Sequence, residues 1–152
     1  MKFSHRKLHW ELECPRDALI FTDREHLIEM INNLLYNGAE ATDVGGTIRI
    51  SYGMHRVIRY TVLTVADTGC GISREEQARL FQPYYTTKGA SFQHMGLGLY
   101  YCFHVMEKQH GGIRGKSIPG RGTTFFLYFP LKKNRCEVRY ESEKNTDPHC
   151  GG

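Results

Sequence analysis

This 152-residue chain has a single tryptophan, and no apolar stretch in it approaches the roughly 20 residues that a membrane-spanning helix requires. Its five cysteines, Cys14, Cys70, Cys102, Cys136 and Cys150, include no Cys-x-x-Cys pair. That spacing offers neither a structural zinc site nor the framework of a disulfide-stapled domain. An odd count without a leader-like start fits a reducing cytoplasm, although a parent protein anchored elsewhere in a membrane stays compatible with it. No run of basic residues is present, and a net charge of +4 is small for this length. The chain therefore carries no footprint for nucleic acid and no basic helix for contact with a membrane. Its eight histidines show no metal-ligand spacing and no triad with Ser or Cys.

What remains is an ordinary globular composition, enough for one domain over residues 1–131 followed by a polar, poorly ordered tail over 132–152. Leu8, Trp10, Leu12 and Cys14 alternate with polar residues at strand spacing, Pro15-Arg16-Asp17 reads as a turn, and Ala18–Phe21 as a short buried strand. Thr22 and Glu25 have capping-box spacing, with Asp23 a second cap candidate. The helix behind them runs to about Thr42. Leu27, Met30, Ile31, Leu34 and Leu35 share its apolar face, and Glu29, Asn33, Asn37 and Glu40 form a polar stripe. Thr47–Tyr52 and Val57–Ala66 read as a hairpin. Ser73 and Glu76 cap a short helix from Arg74 to about Phe81. Residues 84–95 read as a mobile loop, and a second helix follows from about Leu97. Ile113–Ser117 and Thr123–Phe129 flank a last hairpin turn at Pro119-Gly120-Arg121-Gly122. This order predicts an α/β, or α+β, two-layer sandwich: a mixed, mostly antiparallel sheet with helices on one face.

Four segments carry chemistry. Asn33 and Asn37, one turn apart, point their amides the same way. Neutral carbonyl oxygens suit Mg²⁺ that already holds phosphate and water. Asp67 ends an apolar strand and precedes Gly69 and Gly71. A carboxylate there accepts from the exocyclic amine of adenine and rejects the carbonyl of guanine, while the glycines let the backbone approach the base. Gly96-Leu97-Gly98-Leu99 opens a helix, where free amides and the positive dipole end favour phosphate. Tyr84-Tyr85-Thr86-Thr87-Lys88 supplies hydroxyls and a cation beside the loop. Any one of these also fits a solvated helix face or a plain turn; their combination in this order describes a nucleotide site. Gly111–Ser117 imitates a phosphate loop, but His110 stands where that spacing requires glycine, and the segment leads into Ile118-Pro119 instead of a helix.

Asn33–Ala41 resembles the N box of the ATP-binding domain of sensor histidine kinases. Asp67–Ile72 resembles their G1 box, Leu80–Lys88 the F box, Gly96–Leu99 the G2 box, and Gly120–Phe125 the closing hairpin. The resemblance covers roughly residues 8–131 with the boxes in family order. It implies a Bergerat-type fold shared with gyrase-like and chaperone ATPases. It implies Mg²⁺ bound through Asn37 with help from Asn33, and adenine read by Asp67 with Thr124 nearby. It also implies nucleotide contacts from Gly69, Gly71, Ile72, Tyr85, Thr86, Thr87 and Lys88, and phosphates held by Gly96, Leu97, Gly98 and Leu99 under a lid over about 86–97. Asn33, Asn37 and Lys88 would serve catalysis, moving the γ-phosphoryl of ATP to a histidine.

Gyrase-like ATPases and anti-sigma serine kinases usually carry Glu at the position of Asn33, and an amide cannot be that base. The implied partners are thus ATP, a histidine-bearing dimerisation domain and, indirectly, a response regulator. An anti-sigma-type serine kinase and a non-catalytic nucleotide-binding module are the alternatives. The sequence departs from the family at His94-Met95 before the G2 box, at Gly38 where Ala is usual, and at Tyr84 and Tyr85 where Phe is commoner. No dimerisation helix bearing an acceptor histidine lies within it.

Overall fold

The computed structural model of the chain describes residues 7–83, 85 and 97–131. Five strands form one sheet: β1 (His9–Glu13), β2 (Thr47–His55), β3 (Tyr60–Asp67), β4 (Gly112–Ile118) and β5 (Gly122–Pro130), in the order β1-β2-β3-β5-β4. Only the β1–β2 pairing is parallel; β2–β3, β3–β5 and β4–β5 are antiparallel. The helices are α1 (Arg24–Ala41), α2 (Arg74–Gln77) and α3 (Gly98–Lys108). The mixed two-layer sandwich expected from the order of elements is the fold that forms.

Period-two alternation decides which side of the sheet meets the helices. Ile48, Leu63, Val65, Ile113, Phe125, Leu127 and Phe129 point to one face, where Met30, Leu34 and Leu35 of α1 and Cys102, Val105 and Met106 of α3 pack on them. Each such side chain taken fully out of water contributes about 1.5–3 kcal/mol. Burial pushes the Cys102 thiol up to about 12, so it stays neutral and serves as packing. Cys14 and Cys70 are exposed, free thiols. The opposite face is open. Arg49 pairs there with Glu11 at 2.6 Å and Glu13 at 3.6 Å, and Phe126 stacks on Tyr128. No described helix is long and apolar enough to cross a membrane.

Several boundaries differ from the sequence reading, each for a local reason. Asp23, not Thr22, caps α1: its carboxylate accepts from the amides of Glu25 at 2.9 Å and His26 at 3.0 Å. The Thr22 hydroxyl is committed to Gln109 Oε1 at 2.7 Å. Ala18–Phe21 is not a strand. Ile20 still packs on the core, and a short apolar run satisfies burial without regular backbone. The first hairpin turns at Arg56–Arg59, so Gly53-Met54-His55 belongs to β2. α2 ends at Gln77 and gives way to turns through Pro83. Its expected capping box is present, with Ser73 Oγ accepting from the Glu76 amide and Glu76 accepting from the Ser73 amide.

Candidate functional site

One flank of α1 carries the polar stripe, and two other elements close on it. A Cβ placed on Gly98, the first residue of α3, would lie 3.0 Å from Asn33 Oδ1. A Cβ placed on Gly38 would lie 3.3 Å from the Asp67 Cβ and 3.6 Å from its Oδ2. Asn33 and Gly38 thus tie α1 to the amino end of α3 and to the end of β3. Asn37 is half-buried and sits between them on the same helix. At about 100° per residue Asn33 and Gly38 stand roughly 140° apart around the helix, so α3 and β3 meet adjoining flanks of α1 with Asn37 between them.

The Asp67 end is built mostly from backbone. Asp67 Oδ1 accepts from the Gly69 amide at 2.8 Å and the Thr123 amide at 3.2 Å, which fixes the carboxylate. The G1 glycines are needed for protein packing as much as for a ligand. A Cβ on Gly69 would come within 2.5 Å of the Ala41 carbonyl oxygen, and the neighbouring Cys70 amide donates to that oxygen at 3.0 Å. Gly71 has φ +73° and faces the Ile118 backbone. Gly122 has φ +126°, where any side chain would collide with the Asp67 carbonyl. The glycine pattern expected to let backbone near a base instead brings the G1 loop against α1 and against the β4–β5 hairpin. Ile72 donates its amide to Ser117 Oγ at 2.8 Å and packs its side chain on the core.

Thr124 is not brought to this end. Thr123, Phe125, Leu127 and Phe129 lie on the helix-covered face of β5, so alternation turns Thr124 to the open face, between Ala66 and Lys116. Thr123 takes the place beside Asp67. The parity of β5 was the signal: counting back from the apolar residues of that strand selects Thr123. Ser117 and Gln77 were also missed. Gln77 Nε2 donates to the carbonyls of Ile72 at 2.8 Å and Ser117 at 3.1 Å, tying α2 to the loop and to β4.

The other end is more open. α3 starts at Gly98 with Leu97 as its cap residue and, among the described residues, no side-chain cap bond, which suits its first amides to a ligand or water. Leu97 is 39% exposed, whereas Leu99 packs on the core. Phe81 of the F box stacks on Phe103 of α3 at 5.8 Å, and the Arg79 guanidinium lies 4.5 Å above the Tyr85 ring. Tyr85 is therefore held against the turns that follow α2. Thr86, Thr87, Lys88, Gly96, the departure at His94-Met95, Tyr84 and the tail over 132–152 lie outside the described residues. A separate groove of about 1210 Å³ runs between Leu19–Asp23 and α3; it shares only Leu97 with the cleft just described and is lined by none of Asn33, Asn37 and Asp67. No cluster of three His, Cys, Asp or Glu groups suited to a metal occurs among the described residues.

Residues 22–133 match the family described as histidine kinase-, DNA gyrase B-, and HSP90-like ATPase. The signal transduction histidine-protein kinase BaeS of Escherichia coli is 32% identical over 137 residues, covering 88% of this chain and 29% of that protein. AtoS of the same organism is 35% identical over 112 residues, covering 74% of this chain and 18% of its own length. The catalytic domain of histidine kinase ThkA superposes with a TM-score of 0.69 at 27% identity, covering 82% of this chain and 80% of that one. The mycobacterial sensor histidine kinase MprB shares the fold, with a TM-score of 0.71 at 22% identity over 82% of this chain and 84% of that chain. The chain belongs to the histidine kinase-, DNA gyrase B- and HSP90-like ATPases. Within that family it is an ATP-binding catalytic domain of the sensor histidine kinase kind. It spans under a third of the length of BaeS and under a fifth of AtoS.

Proposed function

We propose that this domain binds ATP with Mg²⁺ and donates the γ-phosphoryl group to a histidine on a separate dimerisation domain, from which a response regulator is phosphorylated in turn. One observation carries the reading: Asn33 lies against Gly98 at the start of α3, while Gly38 on the same helix lies against Asp67. A base site and a phosphate site then share one wall. In the transfer, a nitrogen of the acceptor imidazole bonds to the γ-phosphorus, the bond to the β,γ-bridging oxygen breaks, and ADP leaves with that oxygen. Catalysis of this kind is mostly positioning and charge neutralisation.

Each group of this chain has a part. Asp67, its Oδ1 already held by two amides, presents acceptor oxygen to the adenine amine. The uncapped amides at Leu97–Leu99 receive phosphate oxygens at the positive end of α3. The carboxamides of Asn37 and Asn33 are suited to Mg²⁺ that carries phosphate, being neutral oxygen donors on one flank of one helix. Held by these two carboxamides, the ion would supply charge neutralisation to the phosphates. Asn33 is an amide and takes no proton from a nucleophile, which favours an imidazole acceptor over water or serine. Lys88, Thr86, Thr87 and Gly96 complete the phosphate end in this reading, and cytoplasmic location follows from its dependence on ATP.

Titration with Mg-ATP tests the base site. Asp67→Asn should weaken binding by roughly 1.5–3 kcal/mol, the size of a lost charge-assisted hydrogen bond. Equal affinity in the variant and the parent would remove Asp67 from the adenine site. Incubation with a separately supplied dimerisation domain tests the acceptor. An acid-labile phosphohistidine is expected, and an acid-stable phosphoserine would overturn the reading.

A further inference from the structure

Gly115-Lys116-Ser117 imitates a phosphate-loop ending, yet in the fold Ser117 serves the base end. Its hydroxyl meets three partners: the Ile72 amide at 2.8 Å, the Gly122 carbonyl at 2.9 Å and the Thr123 hydroxyl at 2.9 Å. A serine hydroxyl has one proton and two lone pairs. The Gly122 carbonyl can only accept, so it takes the proton. The Ile72 amide can only donate, so it uses one lone pair. The second lone pair is left for Thr123, which must therefore be the donor. Thr123 is 4% exposed and lies across the β3–β5 ladder from Asp67, to whose Oδ1 its amide donates.

Resting on the nucleotide reading above, we infer that Ser117 is a positioning residue for base specificity: it consumes the Thr123 proton and leaves that hydroxyl able only to accept. Asp67 and Thr123 then present acceptors alone at the base end. An exocyclic amine satisfies them, whereas the O6 carbonyl of guanine meets oxygen lone pairs. Discrimination is achieved by withholding a donor from the wrong base, in addition to rewarding the right one. Ser117 touches no nucleotide in this scheme and acts only through Thr123.

Calorimetric titration of the whole chain with Mg-ATP and with Mg-GTP tests this. In Ser117→Ala the Thr123 proton is released and can turn to O6. The ATP-over-GTP preference should fall about five- to tenfold, through tighter GTP binding, the worth of one neutral hydrogen bond. Ser117→Thr keeps the hydroxyl and should keep the preference. The double variant Ser117→Ala with Thr123→Val should lose the GTP gain, because the group through which Ser117 acts is gone. A merely loosened loop would shift both nucleotides together and survive in the double variant, which would overturn the inference. If Ser117→Ala does not fold, Ser117→Cys replaces it; sulfur is a poor acceptor, and the same loss of preference is expected. Binding of ATP that responds to Asp67→Asn, with a preference unmoved by Ser117→Ala, sinks this inference and spares the nucleotide reading. Absence of binding by either nucleotide in the parent sinks both.

Discussion

The two ends of the cleft are made of different material. At the base end, Asp67, Gly69, Thr123 and Ser117 are held by backbone amides and carbonyls from β3, the G1 loop, β4 and β5, and three glycines sit where no Cβ fits beside backbone. At the proposed phosphate end, α3 begins without a side-chain cap among the described residues, and the group nearest a Cβ on its first residue is the end of the Asn33 side chain. The difference separates rigidity from availability. On the proposed reading, a base would be read by groups whose positions are fixed before it arrives. A phosphate would be received by amides that have no side-chain cap bond among the described residues.

A methyl group added at each end should break this comparison apart. Gly69→Ala places carbon 2.5 Å from the Ala41 carbonyl oxygen, and backbone cannot step aside. Thermal or denaturant unfolding should show a loss of roughly 3 kcal/mol, in the upper range for overpacking. Stability unchanged within experimental error would mean that the G1 loop is looser than described. Gly98→Ala is the counterpart. Its Cβ would meet Asn33 Oδ1 at 3.0 Å, the end of a side chain that can rotate. Stability should hold within about 1 kcal/mol, since alanine is the better helix former. Mg²⁺-dependent nucleotide affinity should nonetheless fall, with metal-free affinity nearly unmoved. An equal fall in both would show that Gly98 serves only packing.

Acid should produce the smallest effect, and at the base end. The Ser73 amide and hydroxyl hold the Glu76 carboxyl below its ordinary value, against a smaller opposing effect of burial. A lowered folded-state pKa stabilises above the unfolded-state value and is lost as pH falls through the folded one. Helical circular dichroism should therefore weaken below about pH 4.3, the ordinary glutamate value. Glu76→Gln keeps a capping box and should flatten that part of the acid profile. An unchanged profile would place the acid-sensitive carboxylates elsewhere.

Much of this was legible before any coordinates. The periodicity of α1, the capping box at Ser73 and the alternation along β5 each belong to one element, and each local rule holds in the fold. The failures lie where local rules compete. Thr22 and Asp23 both suit a cap, and the choice fell to Gln109, a residue remote in sequence that binds the threonine hydroxyl. Ala18–Phe21 is too short for its period to separate strand from irregular chain. Thr124 was chosen from a motif in which two threonines adjoin, and only the parity of the strand distinguishes them. Ser117 was invisible because its value comes from three partners, two on the hairpin it helps to form and one across at Ile72. The meeting of Asn33 with Gly98 has no trace in either segment alone, because only the packing of α3 on α1 creates it.

From Asn33 to Gly38 is five residue steps of unbroken helix, close to 7.5 Å of rise at about 1.5 Å per residue. One end of that stretch abuts α3 and the other abuts Asp67, so on the proposed reading α1 would act as a ruler between the two halves of a bound nucleotide. A ruler of this kind admits no partial adjustment. One residue inserted between its marks would turn the far mark by about 100° and carry it off the cleft altogether, so the span from purine to triphosphate would be set by counting residues, not by the softness of any loop.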